Sequence, residues 1–195
     1  PIEHPWYIRD AIFIQGNNIE SDSRVETVDR AVEALSEMSR DAGVTLIPVA
    51  TNIRELEPST YFFTQWHGSI LAAVAHALSE RISTVFISAT ESIPSTLKLL
   101  KIKHFKAWGS HPLLDHKYSS SDLLVQHVDA ELTRLDKLRM VADWDAGLQN
   151  IRVCHPNFPG ENCCRCEKCI RTMLALIAID RLDKTRAFLE DDLSE

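Results

Sequence analysis

Apolar residues fall along this chain in two textures: short β-branched runs closed by turn residues, and longer stretches stepped by three or four. The run from Asp10 to Gln15, ended by Gly16, Asn17 and Asn18, predicts a buried strand. Behind it, capping types at Ser21, Asp22 and Ser23 precede Val25, Val28, Val32, Leu35 and Met38, and Gly43 closes the series. That spacing predicts a helix of about five turns. Val44 to Ala50 predicts a second strand; after a loop through Pro58, the Ala- and Leu-rich stretch from His67 to Glu80 predicts a second helix, and Ser83 to Thr90 a third strand. Strands alternating with helices need crossover connections, so the pattern implies a parallel sheet covered by helices. Roughly the first ninety residues read as a three-strand α/β unit.

Downstream the pattern weakens. Lys98, Lys101, Lys103 and Lys106 alternate with Leu99, Leu100, Ile102, Phe105 and Trp108, which reads as a solvated amphipathic segment, with phosphate contact as the alternative. Ser119 to Asp122 offer an N-cap for a helix carrying Leu124, Val128, Leu132, Leu135 and Leu138. Residues 170–193 predict a last apolar helix, with Met173, Leu174, Leu176 and Ile177 packing it onto the α/β unit.

Composition narrows the partners. The chain has 195 residues, 45% of them hydrophobic and 25% charged, which suits a globular protein with one sizeable core and leaves room for a small appended module. A net charge of −7 disfavours nucleic acid and anionic membrane as partners. The longest apolar run is broken by His76, Glu80 and Arg81 before it reaches a membrane-spanning length. The opening residues carry neither a signal core nor a transit pattern, and clustered thiols suit a reducing compartment, so the expected location is the cytoplasm. The first residue is proline, and a strand-like run follows within ten residues, so the chain reads as truncated, processed or cut from something longer.

Ligands of parallel α/β sheets sit beyond the carboxyl ends of the strands. Here that edge carries Gln15 to Asn18, Ala50 to Arg54 and Ser88 to Glu91, although ordinary loops look the same. No Walker-type or Gly-x-Gly-x-x-Gly phosphate loop appears.

All five cysteines lie between Cys154 and Cys169. Cys154 is followed by eight residues, then Cys163, with Cys166 and Cys169 at successive steps of three. Two-residue gaps let neighbouring thiolates converge on one ion, and the loop bent by Pro156, Pro159 and Gly160 returns the fourth, which completes the tetrahedral shell that zinc favours. A full four-thiolate shell leaves no open position, so such a zinc is structural. Disulfides are opposed by the odd count and the reducing setting, while a redox dithiol or an iron-sulfur cluster remains an alternative to zinc. Cys164 is the odd thiol and is expected to point away from the others; His155 and Glu161 read as bystanders. Arg165, Lys168, Arg171 and Arg181 add local positive charge that offsets the thiolates.

A parallel α/β unit, then a Pro-Leu-Leu segment in His111 to Leu123, then Cys-x8-Cys-x2-Cys-x2-Cys, resembles the PP-loop ATP pyrophosphatases, most closely the 7-cyano-7-deazaguanine synthase (ExsB-like) branch. The resemblance implies a three-layer Rossmann-like parallel sheet of the adenine nucleotide alpha hydrolase type in residues 1–110, N-terminally incomplete, and a helical C-terminal region in 111–195 with a four-cysteine zinc knuckle. It implies zinc on Cys154, Cys163, Cys166 and Cys169, contacts to ATP from Gln15, Gly16, Thr51 and Ser88, and contacts to a small-molecule or deazapurine-type acceptor from Lys106 and His111. A homodimer is compatible with it. The family's Ser-Gly-Gly-x-Asp-Ser loop is absent and would lie upstream of Pro1; with it, magnesium and ATP would make the protein an ATP-dependent ligase or synthase. The branch's tyrosine- and aspartate-containing substrate signature is also absent, and Cys164 stands where the knuckle commonly has glycine.

The rival expectation is a non-enzymatic zinc module that binds a protein or RNA partner through the basic knuckle. His67 and His111, beside Trp66 and Pro112, read as structural histidines rather than an acid/base pair.

Overall fold

In the computed structural model, which describes residues 8–16, 25–56, 65–90, 92–93, 108–154 and 162–189, the run Asp10–Gln15 is strand β1 and Thr45–Ala50 is strand β2. They pair in parallel, Asp10 opposite Thr45 and Gln15 opposite Ala50, joined by helix α1 at Val25–Ala42. This is the crossover that the alternating pattern demands. The Val28, Val32, Leu35 and Met38 stripe is half-buried, and Gly43 closes the helix in the left-handed region while the next amide, Val44, bonds back to Ser39 O at 2.9 Å.

The chain forms two units, one of Pro1–Asn52 with Leu138–Glu195 and the other of Ile53–Lys137. In the first, a short helix α4 at Asp145–Gln149 packs against α1, and Trp144 Nε1 donates to Asp41. Helix α5, Glu167–Ala178, supplies Cys169, Met173 and Leu176 to a core with Leu148, Leu182 and Phe188. Each of those large apolar side chains contributes about 2 kcal/mol when fully withdrawn from water. The last helix is shorter than its apolar pattern suggests. It stops at Ala178, where Asp180 turns left-handed and Arg181 N closes onto Leu176 O at 2.9 Å. Leu174 and Ile177 remain about half exposed, so of those four apolar residues only Met173 and Leu176 are buried in the core.

The second unit holds helix α2 at His67–Ala77, strand β3 at Thr84–Ser88 and strand β4 at Leu124–Val128. β3 and β4 are parallel, Thr84 opposite Leu124 and Ser88 opposite Val128. Ala72, Ala75, Ile87, Leu123 and Val125 form its core.

The helix expected over residues 123–144 is corrected in its first half. Leu124, Val128 and Leu132 suit a helix face, but they also straddle a strand in which Val125 is buried between exposed Leu124 and Gln126. Pairing with β3 decides between the two periods. Ser119 and Ser120, expected as caps, instead shape the entry into the strand: Ser119 Oγ accepts from Val125 N and Ser120 Oγ from Leu123 N. The helix begins ten residues later, as α3 at Arg134–Ala142, with Thr133 and Asp136 capping each other reciprocally.

Among the described residues the strands thus form two parallel pairs, β1–β2 and β3–β4. The protein is α/β, with a four-cysteine cluster near its C-terminal end.

Candidate functional site

Four cysteines reach one point from two segments. The first segment, Ile151 to Cys154, is held by the buried amide of Asn162. Its Oδ1 accepts from Val153 N at 2.9 Å and Cys154 N at 3.1 Å, while its Nδ2 donates to Ile151 O and Ala187 O, both at 2.8 Å. All of the side chain's principal polar capacity is used, so Asn162 fixes where Cys154 stands relative to Cys163.

The second segment is a knuckle. Cys166 N donates to Cys163 Sγ at 3.3 Å, and the chain turns through Cys164 with φ +56°. That left-handed residue is buried, and its thiol points to Asn162 O at 3.6 Å, away from the cluster as expected. Cys166 then stands at the N-cap of α5, and Cys169, wholly buried, in its first turn.

The four sulfurs of Cys154, Cys163, Cys166 and Cys169 lie within 4.8 Å of one another, with Cys163 and Cys169 at 3.9 Å. Four ligands about 2.3 Å from one ion in tetrahedral geometry stand about 3.8 Å apart, so the cluster is the right size for a single metal ion. A polynuclear iron cluster would interpose its own atoms between the sulfurs.

The electrostatics agree with a cation at the centre. Amides of Arg165 and Cys166 aimed at Cys163 lower its thiol pKa to about 6, from an ordinary 9.0. Burial, reinforced by the neighbouring thiols, raises those of Cys154 and Cys169. Without a metal, the set therefore holds one thiol ready to ionise and at least two that resist; a cation removes the resistance.

The surrounding positive charge is partly spent. Arg171 lies 3.7 Å from Glu167, and Arg181 lies 3.3 Å from Asp143. A cleft of about 360 Å³ between α1 and residues 149–152 is lined by Arg30, Arg152 and Arg186, where Arg186 pairs with Glu37 at 3.0 Å.

Of the residues expected at a nucleotide, Gln15, Gly16 and Thr51 come together at the carboxyl end of the β1–β2 pair. Thr51 N donates to Gln15 O at 3.0 Å. Gly16, at φ +92°, passes so near Thr51 that a Cβ there would lie 1.7 Å from its carbonyl oxygen. Ser88 ends β3 in the other unit, its hydroxyl on Asp129 Oδ2 at 3.2 Å. His111 closes the His-Pro-Leu turn: its Nδ1 accepts from Leu113 N, and its amide donates to Asp115. Lys106, with the rest of the lysine-rich stretch, and His155 and Glu161 lie outside the described residues.

Sequence reasoning missed the group around Asp115. This fully buried carboxylate accepts from Ser110 Oγ at 2.6 Å and His111 N at 3.0 Å, and pairs with His127 Nδ1 at 2.7 Å. His67 lies near enough for that charge to oppose the lowering of its pKa by burial, and its ring tilts against Trp108 at 5.3 Å. The spacing of an acid, a hydroxyl and two imidazoles across sixty residues carries no signal that a pattern search would find.

No protein-family model matches this chain, nor does any curated protein or solved structure.

Proposed function

We propose that the chain is the zinc-bearing C-terminal portion of an ATP pyrophosphatase-like enzyme of the 7-cyano-7-deazaguanine synthase type, acting on a small-molecule or deazapurine-type substrate. The observation that carries the reading is the convergence of four cysteine sulfurs within 4.8 Å, in the Cys-x8-Cys-x2-Cys-x2-Cys order of that branch. The parallel β1–β2 crossover with Gln15, Gly16 and Thr51 at its carboxyl end supports it, since nucleotides of α/β folds sit there. The three-layer Rossmann-like sheet belongs to the same proposal.

On this reading Cys154, Cys163, Cys166 and Cys169 hold the zinc. When bound, the ion supplies a closed tetrahedral cross-link between Ile151–Cys154 and the start of α5, with no position for substrate. The reaction is adenylation: a carboxylate or carbonyl oxygen attacks the α-phosphorus of ATP, pyrophosphate leaves, and a nitrogen or sulfur nucleophile then displaces AMP. Gln15, Gly16, Thr51 and Ser88 would bound the nucleotide, with Lys106 and His111 toward the acceptor. The leaving pyrophosphate needs amide donors and magnesium. Residues 1–195 do not contain the Ser-Gly-Gly-x-Asp-Ser loop that provides the amides in this family.

The test pairs elemental analysis of the purified chain with calorimetric titration of ATP and magnesium. One zinc per chain with saturable ATP binding supports the whole reading. Zinc without ATP binding removes the ATP half and favours a partner-binding zinc module; iron, or no metal, overturns the zinc assignment.

A further inference from the structure

Val125 and His127 stand two residues apart on β4 and so face the same side of the strand pair, where Val125 packs with Ala72 and Ala75 of α2. Val125 fills its space with apolar atoms alone. His127, at the carboxyl end of the strand, instead brings a side chain that is 4% exposed and pairs it with Asp115, whose side chain is 0% exposed. An apolar pair would pack there without the cost of burying a charge, so packing alone does not account for these two residues.

The carboxylate is held from three sides. Ser110 Oγ donates to it at 2.6 Å, His111 N at 3.0 Å and His127 Nδ1 at 2.7 Å. The first turn of α2 closes on it as well, since a Cβ on Gly68 would lie 3.0 Å from Asp115 Oδ1 and 2.3 Å from Gly109 O. An ionised carboxylate only accepts, so the neutral imidazole carries its proton on Nδ1 and its lone pair on Nε2. Among the described residues Nε2 has no partner, and the one side-chain nitrogen or oxygen that is both buried and unpartnered is Nδ1 of His67; Nε2 of His127 is therefore open. A fixed tautomer with an open basic nitrogen, at the carboxyl edge of parallel strands, is the arrangement of a general base.

His67 adds a second observation. Its Nδ1 is buried with nothing to bond, and burial lowers its pKa against the opposing pull of Asp115, so the ring stands neutral. Folded proteins seldom leave such an atom unpaired except where a site takes up a ligand or a water. Trp108 tilts across this ring at 5.3 Å and keeps 39% of its surface open, which offers a face for stacking a planar substrate.

We propose that His127 is the general base that deprotonates the nitrogen or sulfur nucleophile, beside a planar acceptor laid on Trp108, with Asp115 as its positioning residue. The proposal rests on the adenylation reading for its substrate. The nucleophile forms a bond to the adenylated carbon, the carbon–oxygen bond to AMP breaks with its electron pair going to AMP, and the nucleophile's proton passes to Nε2 of His127.

Kemp elimination of 5-nitrobenzisoxazole by the full chain tests the base without the natural substrate. A base removes the ring proton, the nitrogen–oxygen bond breaks, and 2-cyano-4-nitrophenolate is read by its absorbance. Turnover above that of free imidazole at equal concentration is expected, reduced at least about 100-fold in His127→Gln. His116→Gln, at an exposed ring, is expected to keep it. Asp115→Asn is expected to move the proton to Nε2, seen as a swapped tautomer in long-range nitrogen–proton spectra, and to lose turnover with it. Turnover lost with the tautomer unchanged would overturn the positioning role. Turnover no greater than imidazole's, or equal in His127→Gln, overturns the base. If His127→Gln fails to fold, spectra of the unaltered chain decide. An Nδ1-protonated His127 whose Nε2 resonance moves with added 2-cyano-4-nitrophenol supports the base, and an Nε2-protonated ring or no response overturns it. A parallel ATP titration separates the two readings: turnover that depends on His127 in a chain that does not bind ATP leaves the base standing and removes the adenylation step assigned to it, and ATP binding without such turnover does the reverse.

Discussion

The amide of Cys166 donates to the sulfur of Cys163 at 3.3 Å, so the knuckle turn itself stabilises the thiolate that a metal would take up first. That bond depends on the tight turn through residues 163–166. A serine at 166 keeps the amide but removes a sulfur from the shell. Cys166→Ser is expected to lose metal and cooperative folding of the first unit together, by metal analysis and circular dichroism melting. Full stability after metal loss would remove the structural role.

Cys164 makes the matching control. Its thiol points to Asn162 O rather than to the other four, and its φ of +56° suits glycine better than cysteine. Cys164→Gly is expected to keep one equivalent of metal per chain, with stability within about 1 kcal/mol because relieved strain offsets the lost burial. Loss of metal in this variant would make Cys164 a ligand.

Metal uptake should depend on pH with a definite sign. Cys163 ionises at about 6, but the thiols of Cys154 and Cys169 are raised, so binding at neutral pH must expel their protons. Affinity is expected to rise with pH across the neutral range, with proton release measurable in weakly buffered solution. In the metal-free chain, the lowered Cys163 value favours the folded thiolate; that contribution is full above the ordinary cysteine range and disappears as pH falls through about 6. A pH-independent affinity from 6 to 9 would contradict this assignment of protons.

Gly16 tests the carboxyl end of β1 as a backbone junction. At φ +92°, with Thr51 O 1.7 Å from where a Cβ would stand, Gly16→Ala combines left-handed strain with a direct clash. A loss of about 2 kcal/mol or more is expected in urea unfolding. Near-neutrality would mean that the end of β1 yields easily and is a poor platform for a ligand.

Asp115 tests the buried network of the second unit. Both Asp115 and the His127 side chain are almost wholly withdrawn from solvent. Asp115→Ala leaves Ser110, His111 and His127 without their shared acceptor, at an expected cost of about 3 kcal/mol in urea unfolding. A double-mutant cycle with His127→Ala should show coupling, and strict additivity would remove the pair as a unit.

Much of this architecture was legible in local pattern. The strands at Asp10–Gln15, Thr45–Ala50 and Thr84–Ser88, and the helices after the first two, match the expected positions because their periods and turn residues agree. The four clustered cysteines were identifiable from spacing, and so was the outward turn of Cys164. Illegible were the strand at Leu124–Val128, whose apolar residues satisfy two periods, and the end of α5 at Ala178, where the apolar residues continue but the backbone turns left. Asn162 gave no warning either, because an asparagine before a cysteine is common and its role lies in four contacts to Ile151, Val153, Cys154 and Ala187.

By itself, then, the amino-acid order determined what short-range sterics and hydrophobic period can decide: the early strands and helices, the crossover between β1 and β2, and a set of cysteines able to enclose one ion. The tertiary structure decided which strand β3 pairs with, the strand state of β4, and the gathering of Asp115, Ser110 and His127 around one buried charge. Those outcomes depend on hydrogen bonds and desolvation between residues far apart in the chain, and such energies exist only once the chain has brought the partners together.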